Sequence, residues 1–356
     1  MKKIFLIAAS AIMVFASCTK VNVNYPDNGQ PQEIALFSVN KNMVKAPVTG
    51  TAFSAEDNMR VSAYLASVTG GTPASYFEDI LFSKVGDNWV AGQYWPISAA
   101  TLNFVAVTQK GGGVDLKEGG VDLKEDKIAW SDNKFTVELN YNTAGNAEVP
   151  QTYNQPDIMY ASVRASNSGD GIAPDAVGLV FKHALAWINF AFKSNVKTAE
   201  TLVINSVELY APYNGTLTVT PANYTVSDAN NALTATAAWT KPAFLNLKVT
   251  NQDDGLAAVQ DLANIADYTD FGKGMLVVPN EEKYSEPNQQ PYFVINYSIK
   301  QGTKDKDYIY RHDLPTVVWE MGKKYTYNIS ITLNEIKVNP SITDWENQTA
   351  VEVPLG

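Results

Sequence analysis

Few side chains in this sequence are of a type that does chemistry, and their spacing narrows the choice further. The 356 residues hold two histidines, His183 and His312, and one cysteine, Cys18. A zinc site needs three or four Cys, His or carboxylate ligands brought together, and neither histidine has a Cys or second His at ligand spacing. His183 lies in the apolar run Phe181-Lys182-His183-Ala184-Leu185-Ala186-Trp187, which reads as a packed, hydrogen-bonded histidine; His312, in Arg311-His312-Asp313-Leu314-Pro315, reads as a loop residue. The acidic pairs Glu78-Asp79, Asp253-Asp254 and Glu281-Glu282 could in principle serve glycoside hydrolysis. Adjacent carboxylates point to opposite faces of a strand, so solvated turns and caps explain them better. No nucleophile elbow, phosphate loop or dinucleotide fingerprint occurs. No catalytic residue, metal ligand or cofactor is therefore assigned.

Cys18 is different because of what precedes it. Lys2 and Lys3 are followed by an apolar run from Ile4 to Phe15 and then by Ala16-Ser17-Cys18. The run fits the core of an export signal and is too short to span a bilayer. Small residues before a lone cysteine form the pattern at which a bacterial signal peptidase leaves an acylated Cys as the first residue. Residues 1–17 then read as a signal peptide and Cys18 as the lipidation site, anchoring the chain to the outer membrane. No other stretch approaches the length of a membrane helix, so attachment rests on the lipid.

The mature chain is long enough for two domains. With one cysteine it forms no internal disulfide, so its stability comes from packing. Apolar residues make up 45% and charged residues 18% of the sequence, which is the balance of a folded protein, and the net charge of −10 argues against a nucleic-acid partner.

The elements that would position these residues are strands. Tyr325, Tyr327, Ile329, Ile331 and Leu333 alternate with polar residues through Asn334, Phe135 to Tyr141 repeats the pattern, and Leu102, Phe104 and Ala106 begin a third case. Ile34–Val39, Val61–Ser67, Val177–Phe192, Leu202–Tyr210, Gly215–Thr220 and Tyr292–Lys300 are further strand candidates. One helix is expected, over Asp253–Ala266, where Leu256, Val259, Leu262, Ala263 and Ala266 share a face. The fold class is all-β with minor helix. Ser166 to Pro174 is polar and Gly-containing and reads as a linker, dividing the mature chain into residues 18–170 and 171–356. The heptapeptide Gly-Gly-Val-Asp-Leu-Lys-Glu occurs twice in tandem, at 112–118 and 119–125, and reads as a duplicated loop. Seven tryptophans and eighteen tyrosines could bind sugar, but most sit in β patterns as core formers.

Several segments together resemble the fimbrillin-like pilin family of Gram-negative outer-membrane lipoproteins. They are Val44–Gly50, Asp57–Tyr64, Tyr94-Trp95-Pro96 followed by Leu102-Asn103-Phe104, Asp157–Ala161, Leu179–Ala186, Trp319–Tyr327 and Ile342–Trp345. The resemblance implies two transthyretin-like β-sandwich domains in tandem, partners that are other fimbrial subunits, and assembly by strand exchange after a trypsin-like protease removes the first strand. It also implies that the Tyr-Trp-Pro and His183 motifs are structural. Many such pilins are cut after Arg; the matching position here is Lys45, giving a new N-terminus at Ala46, with Lys41 the nearest alternative. The segment Ala350-Val351-Glu352-Val353 sets two valines on one face and reads as the donor strand or, alternatively, as the last strand of its own domain. A fimbrial subunit without catalytic activity is the leading reading. A surface glycan-binding lipoprotein and an uncleaved fimbrial anchor are the alternatives.

Overall fold

The computed structural model describes residues 32–38, 58–65, 74–110, 128–131, 134–139, 157–167, 175–194, 200–221, 236–249, 260–262, 267–272, 274–279, 290–314, 317–332 and 336–344. Among these every regular element is a strand. In chain order they are β1 (Leu36–Ser38), β2 (Met59–Leu65), β3 (Ala74–Val85), β4 (Asn88–Val90), β5 (Ala100–Lys110), β6 (Ile128–Ser131), β7 (Lys134–Leu139), β8 (Asp157–Asn167), β9 (Val177–Leu179) and β10 (Lys182–His183). They continue as β11 (Ala186–Ser194), β12 (Glu200–Thr220), β13 (Thr236–Val249), β14 (Gln260–Leu262), β15 (Thr269–Asp270), β16 (Met275–Val277), β17 (Tyr292–Gln301), β18 (Lys304–Asp313), β19 (Lys323–Ile331) and β20 (Ile336–Asp344).

Three sheets result. The first runs β10-β8-β5-β2-β3-β4-β1-β9; the second runs β15-β11-β19-β20, with β16 also on β11; the third runs β18-β17-β12-β7-β6, with β13 and β14 also on β12. Strands from both sides of the 166–174 stretch share sheets: β9 and β10 join the first, and β6 and β7 join the third.

Two hydrophobic cores hold these sheets. Ile34, Leu36, Met59, Phe82, Trp89, Trp95, Phe104 and Phe181 belong to the first, and Phe190, Phe293, Trp319, Tyr325, Tyr327 and Ile329 to the second. β5 and β8 serve both. Leu102, Phe104 and Ala106 of β5 enter the first core while Val105 and Val107 enter the second; Met159 and Ala161 of β8 enter the first while Ile158 and Tyr160 enter the second. The alternation in β5 therefore separates two buried faces, and even Asn103 is fully buried. By contrast β19 has the pattern its sequence announces, with Tyr325, Tyr327, Ile329 and Ile331 inward and the residues between them half-exposed.

Four expectations are corrected. Within Asp253–Ala266, Gln260–Leu262 forms a strand on β12, with Leu262 opposite Leu202; the rest of that span lies outside the described residues. The run Val177–Phe192 is broken into β9, β10 and β11, because the chain passes there from the first sheet to the second. Leu202–Tyr210 and Gly215–Thr220 fuse into β12, whose pairing with β13 shifts register around Pro212 and Asn214. Gly215 fits because a Cβ there would come within 3.2 Å of the Trp239 ring.

The fourth concerns Glu78-Asp79, which is no solvated turn. It is a bulge in β3, with Asp79 at φ 50°. The Asp79 amide donates to Ser62 Oγ at 2.8 Å, and Arg60 of β2 donates to the Asp79 carboxylate at 2.5 Å and to its carbonyl at 3.1 Å. This left-handed backbone is costly for a non-glycine residue, and these three bonds offset it.

Candidate assembly strand and its groove

The segment 32–38 is short, and among the described residues its backbone bonds reach residues far away in sequence. On one side the Ile34 amide donates to the Gln93 carbonyl at 2.7 Å, and the Trp95 amide donates to the Gln32 carbonyl at 3.0 Å. Glu33 bridges to Tyr94, Leu36 stands opposite Trp89, and the Gly92 amide donates to the Glu33 carboxylate at 2.8 Å. On the other side β1 runs parallel to β9 from Leu36↔Val177 to Ser38↔Leu179, and the Val177 amide donates to the Ala35 carbonyl at 2.8 Å. β1 is thus an interior strand of the sheet.

Period two sends Ile34 and Leu36 to one face, where both are fully buried against a wall that includes Trp89, Trp95 and Phe82. Trp95 meets Phe104 edge-on at 5.9 Å, and Lys84 sits 5.3 Å above the Trp89 ring. Tyr-Trp-Pro is accordingly structural: Tyr94 bridges to β1's approach and accepts a bond from the Tyr76 hydroxyl at its carbonyl (2.7 Å), while Trp95 fills the core. Were the segment to leave, the groove would expose one strand edge on β4, another on β9, and two apolar sockets spaced by two residues.

The two histidines lie away from this groove. His183 is buried, as its apolar neighbours suggested, and its Nδ1 lies 2.8 Å from the Asp157 carboxylate, tying β10 to β8. His312 belongs to the end of β18 and not to a loop; its ring packs on Phe293 at 5.0 Å, and its Nδ1 is 3.1 Å from the Tyr310 hydroxyl. Burial lowers the His312 pKa, opposed by the nearby Asp313 carboxylate. Half-buried Lys324 stands 3.9 Å over Trp187, and burial lowers its pKa against the pull of Asp270. Among the described residues no three or more His, Cys, Asp or Glu side chains could hold a metal ion.

Cys18, Lys41, Lys45, Ala46 and the segment Ala350-Val351-Glu352-Val353 lie outside the described residues, as do the tandem heptapeptide and most of the 166–174 stretch. The sequence pointed to Ile34–Val39 as a core strand but gave no sign that β9 is its parallel partner. Arg60 and Ser62, which lock the Asp79 bulge, also escaped sequence reading; a charged residue inside the apolar run Met59–Leu65 was the available signal.

The family model described as fimbrillin-like matches residues 46–345. A two-sided interior strand, two cores and regular elements that are all strands among the described residues accord with the family match. This chain belongs to the fimbrillin-like family. Among solved structures, this fimbrillin-like chain resembles a fimbrial protein of Bacteroides vulgatus at 16% identity, covering 81% of this chain and 93% of that one with a TM-score of 0.51. It also aligns with a fimbrial assembly protein of Parabacteroides distasonis at 11% identity, covering 88% and 98% with a TM-score of 0.35. Among curated proteins nothing matches. Family membership connects the chain to fimbriae at the cell surface and to other fimbrial subunits.

Proposed function

We propose that this protein is a non-catalytic structural subunit of a fimbria, exported as an outer-membrane lipoprotein acylated at Cys18 and assembled by donor-strand exchange. In this reading a trypsin-like protease cuts after Lys45, or after Lys41, and the strand carrying Ile34 and Leu36 departs. The segment Ala350-Val351-Glu352-Val353 of a neighbouring copy then enters the vacated groove. Two tandem domains divided near residue 170 are the corresponding organisation, with β9 and β10 joining the first sheet and β6 and β7 the third across that boundary.

The observation that carries the reading is the placement of β1. It is bonded on both sides to strands distant in sequence, and its two core residues are spaced by two. Val351 and Val353 have the same spacing, so a donor in the same register would refill both sockets and both ladders. Each fully buried valine would contribute about 1.5 to 3 kcal/mol, before ordering costs are subtracted. The cut removes the covalent tether that holds β1 at high effective concentration beside its groove, so that a donor strand can compete for the same ladders.

Electron microscopy after mild trypsin treatment tests the reading together with N-terminal sequencing. Filaments whose subunits begin at Ala46 are expected, and deletion of residues 350–356 abolishes them. Filaments whose subunits still begin at acylated Cys18 would instead indicate the uncleaved anchor role.

A further inference from the structure

The groove around β1 asks more of an occupant than two apolar side chains. The Gly92 amide donates to the Glu33 carboxylate at 2.8 Å, and Gly92 is held at φ 63°, a conformation that glycine adopts without strain. The groove also takes backbone groups in a fixed order: the Gln32 carbonyl accepts from Trp95, the Ile34 amide donates to Gln93, and the Ala35 carbonyl accepts from Val177. The parallel pair Leu36↔Val177 is completed by the amide of the next residue, Phe37, which donates to the Val177 carbonyl. Ala35 itself is engaged through its carbonyl, one residue before the ladder to β9 begins. The groove therefore selects a carboxylate, an apolar residue, a residue whose amide is dispensable, a second apolar residue, and then a residue with an amide to donate.

We propose that the donor segment enters with Glu352-Val353-Pro354-Leu355 in the places of Glu33-Ile34-Ala35-Leu36, and that Glu352 sets this register by accepting from the Gly92 amide of the neighbouring copy. The proposal rests on the strand-exchange reading and fixes what that reading leaves open, because apolar spacing alone admits two registers. With Val351 and Val353 in the sockets of Ile34 and Leu36, Ala350 falls at Glu33 and leaves the Gly92 amide without its carboxylate. Pro354 then falls at Phe37, where the ladder to β9 takes an amide that proline lacks. Shifting the donor by two residues removes both mismatches. Pro354 now lies where a carbonyl is used, Gly356 brings the amide that Phe37 supplied, and Leu355 returns a leucine to the Leu36 socket. The same chemistry defines the class of partner the groove accepts: a strand with a carboxylate followed by apolar residues at the first and third positions after it.

The test follows filament growth by light scattering after mild trypsin treatment of the full chain and its variants. Leu355→Ala is expected to slow growth at least tenfold or so, because it empties a core socket. Glu352→Ala should slow it about threefold to tenfold, while Glu352→Gln, which keeps an acceptor oxygen, grows like the parent. Val351→Ala and Pro354→Ala stay within about twofold, since in this register they take the half-buried places of Gln32 and Ala35. Val351→Ala slowing growth as much as Leu355→Ala, or Pro354→Ala speeding it, overturns the register. Glu352→Ala growing like the parent overturns the part given to the carboxylate. Uncut variants should melt as the parent does; a lowered melting temperature for uncut Leu355→Ala would place that residue in its own subunit's core and overturn the proposal too. A parent chain that forms no filaments is a separate failure, which removes strand exchange itself and this register with it.

Discussion

β1 and β19 occupy the same kind of place in their sheets and differ in everything that makes a strand permanent. Each has a parallel neighbour on one side and an antiparallel neighbour on the other: β9 and β4 for β1, β11 and β20 for β19. β19 pairs with β11 from Lys324 to Ile331 and with β20 over its full nine residues, and it buries four large side chains. β1 has three residues and, with its approach, buries two. Position in a sheet thus says little about how firmly a strand is held. Ladder length and apolar volume decide that, and by both measures β1 is the less firmly held of the two.

The largest expected effect is on the β19 side. Tyr327 is stacked on Phe190 at 5.6 Å, touches Phe293 at 5.6 Å and accepts a hydrogen bond from the Trp319 indole at 3.2 Å. Tyr327→Ala should cost about 3 to 5 kcal/mol in urea denaturation, the range for deleting a buried ring. Leu36→Ala should cost less, about 2 to 3 kcal/mol, because a short strand relaxes more easily around the cavity. Equal losses at the two sites would break the contrast and make β1 an ordinary part of the core. Hydrogen exchange sharpens it: the Ile34 amide should exchange at least tenfold faster than that of Ile329, reporting local release of β1 without global unfolding.

The smallest effect concerns pH. Burial holds the His312 pKa below its ordinary 6.5, so between the two values the unfolded chain binds more protons than the folded one. Stability should therefore rise with pH through that window and level off above about 6.5, and His312→Gln should remove this slope from urea midpoints measured between about pH 5 and about pH 7.5.

Much of the fold was legible in the sequence where a strand has one wet face. Tyr325 to Asn334 announced β19, which runs from Lys323 to Ile331, and Phe135 to Tyr141 announced β7, which runs from Lys134 to Leu139. β5 was located but misread, because both of its faces are buried and period two cannot reveal a second core; the absence of charge from Ala100 to Thr108 was the only trace. In the sequence His312 reads as a loop residue because its neighbours Arg311 and Asp313 are charged. Yet they lie on the outer face of β18, where Arg311 stacks 3.6 Å over Tyr292 and pairs with Asp313 at 2.8 Å. The site was half legible. Ile34 and Leu36 could be recognised as core residues from their type, but pairing with β9, some 140 residues later, leaves no local signal. The Asp79 bulge was invisible for the same reason, since its three bonds come from β2.

The sharing of β5 and β8 between two cores has a mechanical consequence. A pull applied at one end of the subunit passes through the same two strands that wall both cores, so bending there would have to open apolar packing on both sides at once. The two cores should then resist bending as one unit. Whatever curvature a filament of such subunits shows under flow is then set at the joints between neighbours, and a hinge would have to be sought there.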